Sequence, residues 1–407
     1  MMAAEGESPG AASAAGASAL FDTSYRRALS GNMPALDGLR GIAILMVLGH
    51  NFDPVMDPAS PLARLADHVA DVGWIGVQLF FVLSGFLITG GLLDTRGASN
   101  RLSAFFGRRM LRIFPIYYVT LLVAFVLLPL VSPAHAPDGR HQLWLWTYLA
   151  NWVEPSGRAV EAFPHFWSLA VEEQFYLVWP FVVFALTPRR LLRVAVGLTA
   201  AALAIRVGMR VAGADPAAVY MWTICRMDAL TAGAALAAWL RRPGGPAAVE
   251  RVWSTLSAVA AVVALLGVVV TRGLPRTSLA TQTFGYSALV IVFSYLLLAG
   301  VRAQGKAIAE GRRKVGGVAR VLGAAPLRSV GKYSYAMYIF HVPIRAVFGP
   351  YLRNTVGAAG PLALVYMVGA TLVTYLAALI SYHAFEKHFL ALKRHFVPRP
   401  AAASDPP

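Results

Sequence analysis

The chain has 407 residues, of which 57% are apolar and only 14% charged, and its mean hydropathy is +0.58. Soluble globular proteins carry roughly a quarter charged residues, so this composition excludes an ordinary soluble protein and indicates an integral membrane protein. The formal charge of +16 does not indicate nucleic-acid binding, because the basic residues lie mainly in loops between apolar segments, where they set membrane topology.

The two ends of the chain differ from its middle. Residues 1–33 are small, polar and low in complexity, and no basic segment leads into an apolar one. We therefore predict a disordered cytoplasmic tail over 1–33 rather than a cleaved signal peptide. A membrane domain is predicted over 34–390 and a second cytoplasmic tail over 391–407. We expect no further extracytoplasmic domain after the last span.

The middle of the chain predicts an all-α, polytopic membrane protein, because a spanning helix needs about 20 mostly apolar residues. About ten transmembrane helices are expected, at 36–53, 72–93, 109–131, 166–186, 191–212, 220–240, 252–271, 279–301, 329–350 and 361–385. The aromatic segment 141–152 is too short to span and predicts an interfacial or re-entrant piece. Gly85, Gly90 and Gly91 favour close helix packing in the second span.

The orientation of the chain in the membrane follows from the basic residues in its loops. With the N-terminus inside, Lys and Arg are about three times as frequent in the inner segments as in the outer ones, as the positive-inside rule requires. Both termini are therefore predicted to be cytoplasmic, in a multi-pass protein of the inner membrane in contact with anionic lipid.

The first span contains His50, ten residues after Arg40. Ionisable side chains inside a membrane are costly and usually face an interior cavity with a partner. Histidine also titrates near neutral pH, which suits proton transfer. His50 is therefore a candidate for chemistry, and the alternative is a packing histidine that bonds a neighbouring helix.

Other intramembrane polar groups reach a similar depth when 1.5 Å is counted per helical residue. Glu172 shares a helix face with His165, Ser168 and Tyr176, at spacings of seven and four residues. We predict one shared polar cavity in the outer half of the membrane. Its candidate residues, from four spans, are His50, Ser168, Glu172, Glu173, Arg226, Asp228, Tyr335 and His341.

A second cluster faces the cytoplasm at the start of the third span. Arg109 and Arg112 are three residues apart on one helix face, and Arg40 and Lys332 lie at the same level. Guanidinium groups bind phosphate in a bidentate way, so this cluster predicts a polyphosphate site. Arg108 and Arg109 alone would be explained as membrane anchors, whereas Arg112 lies a turn deeper.

Seven segments closely resemble the acyltransferase-3 family of membrane-bound acyltransferases, whose members acylate surface glycans and macrolides. In chain order they are LDGLRGIA with its later histidine, FFVLSGFLI, RRMLRIFPIYY, FWSLAVEEQFYLVWP, RMDALTAG, YSYAMYIFHVP and SYHAFEK. WSLAVEEQFY is quite specific, whereas SGFLI or a lone RxxR would be weak. The resemblance covers roughly residues 34–386.

The resemblance implies a cytoplasmic acyl-CoA donor, most commonly acetyl-CoA, held by Arg109 and Arg112. It also implies that Arg40 and His50 match the family's arginine–histidine pair, whose histidine is essential. The family has ten residues between the two, and this chain has nine. On an ideal helix the pair is then about 80° apart instead of about 20°. We therefore assign Arg40 to the inner donor site and His50 to the outer acceptor site.

The expected reaction is acyl transfer from acyl-CoA to an acceptor hydroxyl. His50 would be the general base, Glu172 or Glu173 would hold its tautomer, and Arg226, Tyr335 or Ser168 would donate to the oxyanion. An acyl-histidine intermediate remains open. Alternatively, Glu173 pairs with Arg226 to join two helices. His341 and Asp228 favour a structural role.

A secondary transporter is the rival class, in which the buried charges form a substrate or proton path. The arginine pair and the SLAVEEQFY element favour a donor site and a reaction centre instead. The acceptor is left open among a glycan, a lipid-linked sugar and a macrolide. No metal and no nucleic acid are expected to bind.

Overall fold

The computed structural model describes residues 22–52 except 26, 30 and 32, and then 68, 70–153, 155, 157, 161–311, 317–356 and 361–400. Helices account for its regular structure, and the described residues form no β-strand beyond one isolated bridge between Ala98 and Pro400. The long helices are α1 Pro34–Asn51, α2 Ile75–Asp94, α3 Arg101–Leu122, α4 Phe166–Ala185, α5 Pro188–Val211, α6 Thr223–Leu240, α7 Trp253–Thr271, α8 Tyr286–Ala309, α9 Ala325–Val356 and α10 Pro361–Ser381.

Three of these helices are extended by π-helical turns. α3 continues through Val123–Leu127 to Val131, Thr281–Gly285 precedes α8, and Tyr382–Glu386 follows α10. Each predicted span overlaps one long helix, although α3 begins eight residues before its predicted span and α8 ends eight residues after its own. The segment 141–152 contains only short helical turns, which are too short to cross a membrane.

Six of the described helices are long and apolar enough to cross a membrane: α2, α3, α5, α7, α8 and α10. α1 meets the same test only together with the helical segment Asp22–Leu29 that precedes it. The helices that do not meet it are α4, α6 and α9, and they carry Glu172, Glu173, Arg226, Asp228 and His341. The all-helical class is confirmed, whereas ten spans and cytoplasmic termini stay predictions.

Glycines allow two pairs of helices to touch at their backbones. A Cβ on Gly85 of α2 would lie 1.8 Å from the carbonyl oxygen of Leu230 in α6, and one on Gly331 of α9 would lie 1.9 Å from that of Asp37 in α1. No side chain fits at either distance. These contacts hold α2 against α6 and α1 against α9, and Gly85 has the packing role that the sequence predicts.

Both predicted tails contain ordered residues. Residues 22–25 and 27–29 are helical, and Tyr25 is fully buried and donates a hydrogen bond to Glu250. This part of 1–33 is therefore not disordered, because an aromatic ring anchors it. Most of 1–33 lies outside the described residues.

The C-terminal segment folds back on the start of α3. The Arg399 amide donates to Asn100 Oδ1 at 2.8 Å, and Asn100 Nδ2 donates to the Val397 carbonyl at 3.0 Å. The Phe396 ring packs directly on Gly107, where a Cβ would lie 2.1 Å from it. The cytoplasmic tail predicted over 391–407 therefore packs against α3 up to residue 400, and 401–407 lie outside the described residues.

Candidate active site

A cavity with about 830 Å³ of empty space lies between α1, α2, α3, α4 and α9. We call it the central cavity. Its apolar lining includes Val77, Phe80, Leu83 and Leu87 of α2. Its polar lining consists of Arg40, Ser84, Arg109, Arg112, Ser168, Glu172, Glu173, Tyr176, Ser334, Tyr335 and Tyr338. A mixed lining of this kind suits a ligand with an apolar stem and an anionic head.

Three arginines of the central cavity have no carboxylate partner. None of Arg40, Arg109 and Arg112 lies within 4.0 Å of a carboxylate oxygen among the described residues. The Arg109 guanidinium lies 4.2 Å from the centre of the Tyr176 ring, and its buried Nε makes no hydrogen bond to a described residue. All three side chains are half-buried, and partly desolvated positive charge without an ion pair is costly, so this arrangement is suited to an anionic ligand.

The carboxylates occupy the facing wall on α4. Glu172 and Glu173 line the cavity with Ser168 and Tyr176, so the spacing of four residues does place Ser168, Glu172 and Tyr176 together. Ser84 of α2 and Tyr176 share a short hydrogen bond, which joins the two helices beside the carboxylates.

A second pocket adjoins the central cavity and shares Arg40 and Arg112 with it. We call it the basic pocket. Arg328 and Lys332 of α9 supply two more cations to it, and Asp37 is its one acidic lining residue. Arg40, Arg112 and Lys332 of the predicted polyphosphate cluster therefore line this pocket together with Arg328. Arg109 lines only the central cavity. Arg328 could have been found from its position four residues before Lys332 on one helix face.

The prediction of two separate sites, arginines inside and carboxylates outside, is wrong. The same cavity holds Arg109, Arg112, Glu172 and Glu173. The physical reason is the reach of the guanidinium group. The Arg109 side chain extends from α3 to stack on Tyr176 of α4, one helical turn from the two carboxylates.

His50 does not line the central cavity. Its Nδ1 lies 3.1 Å from the carbonyl oxygen of Ala70, so the predicted pairing with Glu172 or Glu173 is replaced by a backbone contact. A carbonyl only accepts, so Nδ1 carries the proton and Nε2 is left as the basic nitrogen. α1 is a regular helix throughout, with no bulge to bring Arg40 and His50 onto one face.

Arg226 and Asp228 belong to a different region, which we call the α5–α6 region. Asp228 Oδ2 lies 2.7 Å from Arg206 Nη1 of α5, and both side chains are buried. The guanidinium nitrogens of Arg226 make no hydrogen bond to any described residue, so the alternative of a Glu173–Arg226 pair is wrong. Arg226 is fully buried beside four aromatic rings, those of Phe81, Trp167, Tyr220 and Tyr286, at 4.5 to 5.7 Å. Sequence reasoning missed Arg206, although a lone arginine within an apolar span is itself a signal.

The remaining candidates hydrogen-bond to backbone or to one another. Tyr335 Oη donates to the Ile113 carbonyl at 3.1 Å, so its proton is not directed at a ligand. Ser168 Oγ lies 2.5 Å from Tyr338 Oη. His341 Nδ1 lies 2.7 Å from the carbonyl oxygen of Tyr338, and His341 is outside the cavity lining.

Three curated relatives of this chain are all named as O-acetyltransferases. The chain is 28% identical over 340 residues to the peptidoglycan O-acetyltransferase OatA of Listeria monocytogenes, covering 79% of this chain and 51% of the relative. It is 30% identical over 380 residues to the putative peptidoglycan O-acetyltransferase YrhL of Bacillus subtilis, covering 87% and 54%. It is 25% identical over 372 residues to the O-acetyltransferase OatA of Staphylococcus aureus, covering 87% and 56%.

The chain spans about half the length of the curated relatives it matches. No solved structure matches it. A family model described as an acyltransferase domain matches residues 33–383, which include every helix that lines the central cavity and the basic pocket. The chain belongs to the acyltransferase-3 family.

Proposed function

We propose that this protein is a membrane O-acyltransferase that moves an acyl group, in the simplest case acetyl, from acyl-CoA to a hydroxyl of a glycan. The observation that carries the proposal is the central cavity. Three half-buried arginines without ion pairs to described residues face two carboxylates there, and the cavity shares two of those arginines with a basic pocket. The names of the relatives favour peptidoglycan as the glycan.

The donor site follows from the charges. The phosphates of acyl-CoA would bind Arg328 and Lys332 in the basic pocket, with Arg40 and Arg112 at the boundary of the two cavities. Arginine suits this role because its planar fork binds phosphate oxygens in pairs. The apolar side chains of α2 would then contact the pantetheine arm.

The chemistry requires a base for the acceptor hydroxyl. His50 lies outside the lining of the central cavity, and its Nε2 would serve this purpose where the acceptor hydroxyl approaches the thioester, because Nδ1 is held by the Ala70 carbonyl. The hydroxyl oxygen would attack the thioester carbon, the carbon–sulfur bond would break, and the proton on Nε2 would pass to the leaving thiolate. Glu172 and Glu173 would balance the arginine charges beside the thioester.

The proposal also includes the orientation of the protein in the membrane. The basic pocket lies at the end of the bundle where α1 begins and where the sequence places most lysines and arginines. If this end is cytoplasmic, acyl-CoA has direct access to it. We place the protein as a multi-pass protein of the inner membrane.

The test is transfer of radiolabelled acetyl groups from acetyl-CoA by the purified full chain in lipid nanodiscs, with a soluble peptidoglycan disaccharide as acceptor. We expect labelled disaccharide from the wild type. We expect Arg112→Ala and His50→Ala to lower the rate by about 100-fold. Arg189→Ala and His388→Ala, at exposed positions outside both cavities, serve as matched controls.

Three outcomes would contradict the proposal. Wild-type rates in Arg112→Ala would remove the donor site, and wild-type rates in His50→Ala would remove the base. Accumulation of unmodified solute inside sealed vesicles, with no labelled disaccharide and no released CoA, would favour a transporter instead.

A further inference from the structure

Ser334 of α9 lines the central cavity, and its hydroxyl makes no hydrogen bond to any described residue. The residue is only 1% exposed, and a buried hydroxyl without a partner is costly. The other described hydroxyls of the cavity lining all have partners, in the pairs Ser84–Tyr176 and Ser168–Tyr338 and from Tyr335 to a backbone carbonyl. Ser334 therefore differs from every other hydroxyl in this wall.

The helix that carries Ser334 does not satisfy its hydroxyl. A serine or threonine inside a helix can bond the carbonyl oxygen four residues before it. Thr120 and Ser257 do so in α3 and α7, at 2.8 and 2.9 Å. Ser334 lies inside α9, yet it makes no such bond to the Val330 carbonyl. Its hydroxyl is therefore left to bond a group that enters the cavity.

The packing of α9 on α1 fixes how far along the bundle Ser334 lies. A Cβ on Gly331 would lie 1.9 Å from the Asp37 carbonyl oxygen, and Arg345 Nη1 donates to the Asn51 carbonyl at 3.1 Å. The two contacts are fourteen residues apart on each helix. Because both helices rise by the same distance per residue, α1 and α9 run in the same direction and stay in register.

Ser334 is therefore level with Arg40, since each lies three residues beyond the contact between Gly331 and Asp37. Arg40 lines both the central cavity and the basic pocket, so Ser334 lies near the boundary of the two. His50 is ten residues after Arg40 on α1, about 15 Å further along the bundle. A donor with its phosphates in the basic pocket and its thioester approaching His50 passes Ser334 with its connecting arm.

The pantetheine arm of CoA has the chemistry that this position requires. It is a largely apolar chain with two amide groups, and its apolar atoms suit the lining side chains Val77, Phe80 and Leu83 of α2. An amide carbonyl accepts hydrogen bonds, as the serine hydroxyl requires. The neighbouring arginines only donate, so the ligand supplies the acceptor.

We propose that Ser334 recognises the donor by its arm, with its hydroxyl donating a hydrogen bond to an amide carbonyl of pantetheine. This inference rests on the proposed function for the identity of the donor. It adds a contact to the uncharged part of acyl-CoA, whereas the arginines and Lys332 bind its phosphates. The protein then distinguishes a pantetheine thioester from other anions that fit the basic pocket.

The test measures the affinity of the purified full chain for three ligands by calorimetry. They are acetyl-CoA, CoA, and adenosine 3′-phosphate 5′-diphosphate, which carries the phosphates of CoA but no arm and is called the arm-free nucleotide. We expect Ser334→Ala to weaken binding of acetyl-CoA and of CoA by about fivefold. Binding of the arm-free nucleotide should not change. Ser334→Thr keeps a hydroxyl and should retain most of the wild-type affinity.

Ser294→Ala is the matched control. Ser294 of α8 also has a buried hydroxyl without a hydrogen bond to a described residue, and it lines a groove outside both cavities. This variant should leave all three affinities unchanged. The thermal midpoint of Ser334→Ala without ligand should not fall, because a buried hydroxyl without a partner adds no stability.

Wild-type affinity of Ser334→Ala for both acetyl-CoA and CoA would overturn the proposal. A loss confined to acetyl-CoA would place Ser334 at the thioester and overturn it as well. An equal loss for all three ligands, with a lowered thermal midpoint, would show a packing role, and without a lowered midpoint it would show a phosphate contact; both contradict an arm contact. Absence of acetyl-CoA binding to the wild type would refute the proposed function together with this inference, whereas the other outcomes leave that function standing.

Discussion

Two regions of this molecule bring arginine and carboxylate groups together, fully buried in one region and half-buried in the other, and they differ in how the charges are paired. In the α5–α6 region, Asp228 and Arg206 form a buried ion pair at 2.7 Å, and Arg226 is enclosed by aromatic rings. In the central cavity, Arg109 and Arg112 line the same space as Glu172 and Glu173, yet no guanidinium lies within 4.0 Å of a carboxylate among the described residues.

The two regions differ in which group balances each charge. Asp228 is compensated by its own protein, so the α5–α6 region is closed and can serve helix packing. The arginines of the central cavity are open to an external anion. An ion pair within the protein therefore favours a structural role, whereas arginines that line a cavity without one are the better candidates for a ligand site.

The largest effect is expected when the ion pair between Arg206 and Asp228 is broken. Asp228→Ala leaves Arg206 without its counter-charge in the bundle, and we expect a loss of about 3–5 kcal/mol in the free energy of unfolding. Arg206→Met combined with Asp228→Leu removes both charges and should cost less. Unfolding in detergent measures both variants. Acetyl transfer per mole of folded protein should be unchanged, and a tenfold fall would place this pair in the reaction.

The next effect separates binding from chemistry in the central cavity. Glu173→Gln removes a negative charge beside three arginines and so raises the positive potential there. We expect kcat to fall by about 100-fold, because the charge that balances the arginines beside the thioester is lost. The KM for acetyl-CoA should not rise, because the donor is anionic. Glu310→Gln, at an exposed carboxylate, is the matched control. A higher KM with unchanged kcat would contradict this assignment.

A smaller effect is expected at Tyr335, which lines the cavity but donates to the Ile113 carbonyl. Since that proton is not directed at a ligand, Tyr335→Phe should lower the transfer rate by less than about tenfold, far below the loss of an oxyanion donor. Steady-state kinetics with saturating donor measure it. A fall of about 100-fold would restore the oxyanion role that the sequence suggests.

The smallest effect concerns a more exposed ion network outside the spans. Burial alone would raise the pKa of Glu250, but hydrogen bonds from Arg302, Lys306 and Tyr25 hold it below its ordinary value of 4.5. Its stabilisation is therefore full above that value and lost as the pH falls through the lower, folded pKa.

Glu250→Gln should lower the free energy of unfolding by about 1 kcal/mol or less at neutral pH. The difference from wild type should shrink at acidic pH. Unfolding curves at several pH values measure it, and a difference that stays constant with pH would exclude an electrostatic origin.

The sequence predicted the helices and the family, but it predicted poorly which side chains of different helices contact one another. The spacing of Ser168, Glu172 and Tyr176 placed three cavity residues together, and the RxxR spacing did the same for Arg109 and Arg112. Periodicity fixes which residues share a face, so these predictions needed only a regular helix. The pairing of Glu173 with Arg226 needed the neighbouring helix, and it was wrong.

What the sequence determined by itself is the all-helical membrane class, the position of each long helix and the inventory of residues able to do chemistry. Only the tertiary structure decided that arginines and carboxylates share one cavity, that Arg206 compensates Asp228, and that a backbone carbonyl orients His50. The reason is physical. Counting residues gives depth and face within one helix, but contacts between helices depend on their packing and on the reach of long side chains such as arginine.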